Sequence, residues 1–286
     1  MTQLLLASII DGLLIGLVYG VAAMGLTLIF GVMNVINLAH GPIIALGMFA
    51  VYLLSSAVGL NPLVGLVAVA IIGMLLGIAI YVLAVHRVID APHLSSLLST
   101  FAVSMIIIGV GTTIFSTSFR NVDYSLGAIH AGPVNVTGTR LVSAAIALLV
   151  TAALYIFLYA TRPGKYTRAV ANNRSAAELM GIPSTRVLAM SFGIGTMLAM
   201  IAGGLIAISF PFTILSGSSY ELKSFVIIVL GGLGNPLGAL IGGLILGLIE
   251  GVVPVFMKTS WVPVLEFGIF VLILLVRPQG LFGVKK

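Results

Sequence analysis

One polar stretch at residues 161–186, TRPGKYTRAVANNRSAAELMGIPSTR, interrupts a chain that is otherwise almost continuously apolar. Arg162, Lys165, Arg168, Arg174 and Arg186 stand there against the single acid Glu178. Short loops on the cytoplasmic side of a membrane carry such an excess of Lys and Arg, because positive charge resists translocation. The stretch is therefore expected to be cytoplasmic and to orient every span around it.

Of the 286 residues, 60% are hydrophobic and only 7% are charged, whereas soluble domains carry about 25% charged residues. A soluble globule is excluded. The apolar runs are far longer than a barrel strand and lack its alternation. The expected fold is all-α, a polytopic transmembrane helical bundle with about 8–9 membrane segments. A formal charge of +6 does not indicate nucleic acid, since the basic residues sit at the ends of apolar runs without interleaved aromatics. Cysteine is absent, so disulfides, thiolate metal sites and thiol chemistry are excluded. The start, MTQLLLASIIDGLLIG, lacks a basic n-region and a small-residue cleavage site, and reads as a first span.

Apolar runs fall at 4–30, 43–56, 62–85, 94–118, 141–160, 187–208, 222–256 and 262–276. The run 222–256 is too long for one plain helix, and GGLGNP at 231–236 removes helix propensity and a backbone donor inside it. Two segments are predicted there, the first short. Counting outward from the basic stretch makes 119–140 an extracytoplasmic loop, 86–93 a cytoplasmic turn, and Arg277, Lys285 and Lys286 cytoplasmic. The chain reads as one integral membrane domain, 1–286, with a cytoplasmic loop at 161–187.

Gly12, Gly16 and Gly20 near the start, and Gly243, Gly247 and Gly251 near the end, each recur every fourth residue. Such a set makes a flat helix face on which another backbone can pack closely in lipid. Helix packing is the expected role, with pore lining the competing one.

Few ionisable groups lie within the apolar runs: Asp11, His40, Glu250 and Glu266, with Glu221 and Lys223 at a span edge. A charged group at a helix centre costs about 2.5–3.5 kcal/mol on insertion scales, so such residues usually face a bundle interior or water. Hydrogen bonding between helices is the competing role. NVINLAHGP, at 34–42, places amides, an imidazole, a glycine and a proline where a helix would have to break. Breaks at membrane depth need protein or water to satisfy the backbone. Asn34, Asn37, His40 and Gly41, with Glu250, are therefore the candidate translocation path, against a structural cap or short turn. No metal site is expected, because His40 has no second ligand at suitable spacing. The glycine-rich run at 231–243 lacks the Lys and Ser/Thr of a phosphate loop, so any energy from ATP must enter through a partner. No nucleophile elbow or Ser/His/Asp pattern is present, and no catalytic residue is assigned.

Within the basic stretch, residues 167–180 are predicted to form one amphipathic helix with Ala169, Ala176, Ala177 and Met180 on a shared face, stopped by Gly181, Ile182 and Pro183. The competing reading is an ordinary basic loop on anionic membrane lipid.

These residues reach a family pattern. Ser175-Ala176-Ala177, then three residues, then Gly181 resembles the E-A-A-x-x-x-G segment of ABC importer permeases, with Ser175 in place of the glutamate. Gly164, Arg168, Ala169, Ala171, Asn172, Ala177, Leu179, Gly181 and Ile182 are similar to the form found in branched-chain amino acid permeases of the LivH type. Tyr19, Gly20, Gly25-Leu26-Thr27, Gly31 and Asn37-Leu38-Ala39-His40-Gly41 resemble that family's N-terminal block. Leu230 to Gly234, Gly238-Ala239, Gly242-Gly243 and Glu250 resemble its late glycine block, and Arg277-Pro278-Gln279-Gly280-Leu281-Phe282-Gly283 its C-terminal R-P-x-G-L-F-G.

The resemblance implies an importer in a bacterial inner membrane. It implies a second homologous permease subunit, two cytoplasmic ATP-binding subunits and an extracytoplasmic solute-binding protein. ATP would be used by the partners and no cofactor held by this chain. Gly164, Arg168, Asn172, Ser175, Ala176, Ala177 and Gly181 would couple to the ATPases. The cargo would be branched-chain or other hydrophobic amino acids, or else urea or short-chain amides, and the chain would not itself be an enzyme. Arg120, Asp123, His130 and Arg140 in the 119–140 loop would face the binding protein, or simply solvent. Apart from the resemblance, a stand-alone channel or secondary transporter could use Asp11, Glu250 and Glu266 as ion carriers, and an intramembrane enzyme could be built around His40 and an acid.

Overall fold

The first apolar run folds as α1 (Thr2–Met33), which ends where Asn34 adopts the left-handed conformation at φ 54° and its N–H closes on the Phe30 carbonyl. The computed structural model describes residues 1–131, 134–277 and 279–282. Then follow α2 (His40–Ser56), α3 (Pro62–Ile80), which continues as a π-helical turn over Tyr81–Val85, and α4 (His93–Phe115). An antiparallel hairpin, β1 (Ala128–Ala131) and β2 (Val134–Thr137), leads into α5 (Gly138–Ala160). The remaining helices are α6 (Arg162–Asn172), α7 (Arg174–Leu179), α8 (Ser184–Ala207), α9 (Ser216–Gly231), α10 (Pro236–Phe256) and α11 (Trp261–Val276). Among the described residues α1, α3 with its π turn, α4, α5, α8 and α10 are long and apolar enough to cross a membrane, and α2 and α11 are shorter apolar helices. The chain is a polytopic helical membrane protein.

Local chemistry sets several boundaries. Asn61, Thr161 and Asn235 each accept a backbone N–H of the following turn with their side-chain oxygen, and Pro62 and Pro236 occupy the first helical position and Pro163 the second. The predicted interruption of 222–256 is the turn between α9 and α10, where Gly232 and Gly234 take φ of 97° and 83°.

α1 and α8 lie at the centre. Along α1 and α10 the two glycine sets pack on one another: a methyl group on Gly12 would stand 2.5 Å from the Gly247 carbonyl oxygen, and one on Gly16 would stand 2.7 Å from that of Gly243. On the other side of α1, Gly25 meets Gly195 of α8. Such contacts replace the hydrophobic force that is missing between helices in lipid. Outward faces of α3, α4 and α5 expose Val67, Ile71, Leu75, Ile106, Val110, Leu148 and Leu149.

Three expectations need correction. The helix predicted over 167–180 is two helices, because Asn173 is extended (φ −156°, ψ 104°) and caps α7 by accepting the Ala176 N–H at 3.0 Å. Its supposed common face is divided: Ala177 is buried while Ala176 and Met180 are exposed. The predicted loop 119–140 contains the β-hairpin and the first turn of α5, which begins at Gly138 rather than 141. The break at 34–42 is narrower, since His40, Gly41 and Pro42 form the first turn of α2, where proline's missing donor has no partner to lose.

Candidate functional site

The break between α1 and α2 is stitched from two sides. Asn37, fully buried, accepts the Ala39 N–H at 3.1 Å through Oδ1, while its amide nitrogen has no partner. Thr100 of α4 donates to the Ile36 carbonyl at 3.1 Å and accepts the Leu38 N–H at 3.3 Å. His40 is fully buried, and its Nε2 donates to the Ala22 carbonyl at 3.0 Å, leaving Nδ1 unpartnered. Gly41 sits against α9: a methyl group there would lie 2.5 Å from the Gly217 carbonyl and 2.7 Å from the Glu221 carboxylate. Asn34 is exposed and lines a separate hollow with Phe30, Ile36, His93, Ser96 and Leu97.

Glu250 stands apart from this group. It pairs with Lys223 of α9 at 2.7 Å, and the same ammonium lies 3.5 Å from the Tyr19 hydroxyl and 4.8 Å from the centre of its ring. Tyr220 adds a second ring, 5.8 Å from the ammonium and 5.9 Å from Tyr19. Glu266 of α11 is buried with one carboxylate oxygen unpartnered, and Lys223 and Glu250 are its charged neighbours. Asp11 is elsewhere, bonded to Arg140 at the start of α5 at 2.8 Å. Among the described residues no cluster of His or carboxylates could hold a metal ion. Sequence reasoning placed Lys223 at a span edge and did not connect it to Glu250. They lie 27 residues apart on separate helices, a pairing to which helical periodicity is blind.

The basic stretch is anchored rather than loose. Arg168 donates through Nε to the Leu158 carbonyl at 3.1 Å and covers the Tyr159 ring at 4.6 Å. Gly164 presses on the Phe157 carbonyl so closely that no side chain would fit. Arg174 joins Asp90, in the turn before α4, at 2.7 Å and Glu178 at 3.1 Å, bringing two stretches that the sequence assigned to one membrane side into contact. Glu178 also accepts from Ser184, and the bonds from Ser184 and Arg174 hold its carboxyl below the usual value. Gly181 stops α7 at φ 78°, while Asn172, Ser175 and Ala176 are exposed and Leu179 and Met180 project at 89% and 82% exposure.

Residues 8–274 match the family described as branched-chain amino acid transport system permease components. The chain belongs to that family. Similar relatives are the high-affinity branched-chain amino acid transport system permease protein LivH of Escherichia coli strain K12 and that of Salmonella typhimurium, each 30% identical over 97% of this chain and 95% of the relative. BraD of Pseudomonas aeruginosa, described in the same terms, is 28% identical over 97% and 95%.

In this permease the late glycine block and the C-terminal motif form one unit. Leu281 donates its N–H to the Leu230 carbonyl at 2.9 Å, Asn235 donates its amide to the Phe282 carbonyl at 3.1 Å, and Gly280 turns at φ 80° against Gly232. Pro278, Gly283, Lys285 and Lys286 lie outside the described residues. Beside that turn, a hollow of about 120 Å³ is lined by Thr27, Gly31, Leu158, Arg168, Gly234 and Pro236, so α6 adjoins both α1 and the α9–α10 turn. At the opposite end of the permease a hollow of about 600 Å³ is lined in part by Asn121, Asp123, Thr139 and Arg140. There the Arg120 backbone pairs with Phe212 and its guanidinium lies over Tyr52, while His130 belongs to β1.

Proposed function

We propose that this chain is the membrane-spanning permease subunit of an ABC importer that carries branched-chain or other hydrophobic amino acids inward, driven by ATP hydrolysis on partner subunits. The observation that carries the reading is the basic stretch itself. It folds into two capped helices fixed to α5, α8 and the α4 turn, yet presents Leu179 and Met180 outward. A loop lying on lipid has no need of such anchoring. Gly164, Arg168, Asn172, Ser175, Ala176, Ala177 and Gly181 form or position this platform, on which a cytoplasmic ATPase would dock.

In this reading the basic stretch and the C-terminus are cytoplasmic, in a bacterial inner membrane, and the Arg140 end faces the solute-binding protein. A second homologous permease completes the path. ATP is consumed on the partners, and this chain transmits motion from α7 through α6 to α1 and the α9–α10 turn, across the hollow that α6 shares with them. A carrier driven by an ion gradient through Asp11, Glu250 and Glu266 is disfavoured, because Asp11 and Glu250 are each already neutralised by a basic side chain, which leaves Glu266 without a second carboxylate to relay an ion. Urea or short amides as cargo are disfavoured, because the similar relatives are described as permeases of branched-chain amino acid transport.

The test is co-expression with the neighbouring genes, followed by capture of the ATPase and measurement of ATP-driven uptake of leucine. Ala177→Trp, at a buried position, and Gly181→Val, at φ 78°, should abolish capture and uptake while the chain still inserts. Normal docking and transport in both variants would refute the proposal.

A further inference from the structure

We propose that the first half of α9, together with Glu250, forms the wall along which cargo crosses the middle of the membrane, and that the Lys223–Glu250 pair receives the two charges of a zwitterion. The inference rests on the permease reading above and adds the face along which the cargo passes and the residues that receive its two charges.

α1 is pinned nearly a third of the way along by Asp11 on Arg140, and near its C-terminal end by Gly31 on Gly234 of the α9–α10 turn. Tyr19, against whose hydroxyl the Lys223 ammonium lies, is about 12 Å along α1 from Asp11 and about 18 Å from Gly31 at 1.5 Å per residue. Gly217, near the start of α9, rests on Gly41 beside His40, which bonds Ala22. The first turns of α9 thus lie at mid-membrane depth.

Ser219, Leu222 and Lys223 follow the i, i+3, i+4 spacing of one helix face. Ser219 is exposed, Leu222 is 51% exposed, and the side chains of Lys223 and Glu250 retain 19% and 32% of their exposure. The outward faces of α3, α4 and α5 are instead apolar, as at Ile71, Ile106 and Leu149. Partly exposed charge at this depth belongs on an aqueous space, not on acyl chains.

An ion pair in a low-dielectric setting is strongly disrupted if one partner is left alone. A zwitterion avoids this, because its carboxylate can take Lys223 while its ammonium takes Glu250, so that both charges stay compensated throughout. Tyr19 and Tyr220 flank the ammonium of Lys223, and Leu222 offers apolar surface to an aliphatic side chain.

The natural absence of cysteine from this chain makes the test direct. Ser219→Cys and, as a lipid-facing control, Ile106→Cys are placed in the assembled complex, reconstituted in bilayers and treated with a membrane-impermeant methanethiosulfonate. Ser219→Cys should label roughly tenfold faster, as a thiol beside water rather than lipid. L-leucine should slow that labelling, and 4-methylpentanoate, which lacks the ammonium, should not. Equal labelling of the two positions would overturn the wall, and equal protection by both compounds would overturn the zwitterion site. ATPase capture is scored on the same preparation: rapid, leucine-sensitive labelling without an ATPase upholds this site and removes only the importer reading.

Discussion

The backbone N–H of Leu281 donates to the carbonyl of Leu230 at 2.9 Å, tying the end of the chain to the end of α9. That carbonyl belongs to the last helical turn, where intrahelical donors run out. The C-terminal motif thereby closes the turn that the glycine block opens, and Gly280 is where the backbone must bend.

Gly280→Val should loosen this closure. The position needs φ 80°, and a methyl group would stand 2.5 Å from the Val229 carbonyl. Strain of about 1–3 kcal/mol is expected from a forced left-handed residue, read as a lower unfolding temperature in detergent and faster chymotrypsin cleavage after Phe282. An unchanged cleavage rate would contradict the closure.

Gly12→Val should separate α1 from α10, because the Gly247 carbonyl occupies the space its side chain would need. Gly109→Val on α4, where nothing lies within 4 Å, is the control. Monodisperse protein should be lost for the first and retained for the second on size-exclusion chromatography.

Thr100→Val should destabilise the α1–α2 break, leaving the Ile36 carbonyl and Leu38 N–H without their partner. A loss of about 1–3 kcal/mol is typical for such orphaned groups. Thr100→Ser keeps the hydroxyl and should restore most of the stability; if it is as unstable as Thr100→Val, the bonds are not the cause.

Acidification should release the corner between α7 and α8. Glu178 is held below its ordinary value of 4.5 by Ser184 and Arg174. The folded state therefore binds the proton less readily than the unfolded one, so the contribution is complete above 4.5 and is lost as pH falls through the lower folded value. Hydrogen exchange at Gly181 and Ile182, corrected for intrinsic rate, should quicken over that range in the wild type. In Glu178→Gln that pH step should be absent.

Much of the fold was legible in the residues. The apolar runs mark the long helices, the basic stretch breaks them, and the Gly-Asn-Pro sequence at 234–236 supplies a turn followed by a capped helix start. These features are local, set by propensity, capping and hydropathy within a few residues. The split at Asn173 was missed because the alanine spacing suits a continuous helix, while a capping asparagine is only a competing local option. The hairpin at Ala128–Thr137 was missed because its strands are four residues each.

The sequence by itself determined that this is a polytopic helical membrane protein and to which family it belongs, because solvent preference and ordered motifs are written along the chain. Only the tertiary structure decided that Glu250 pairs with Lys223, that Asp11 pairs with Arg140, and that the two glycine sets pack against each other. Each of these joins residues from helices distant in sequence. Such a pairing is set by which helix faces meet when backbones pack in lipid, and no period along one helix encodes its partner.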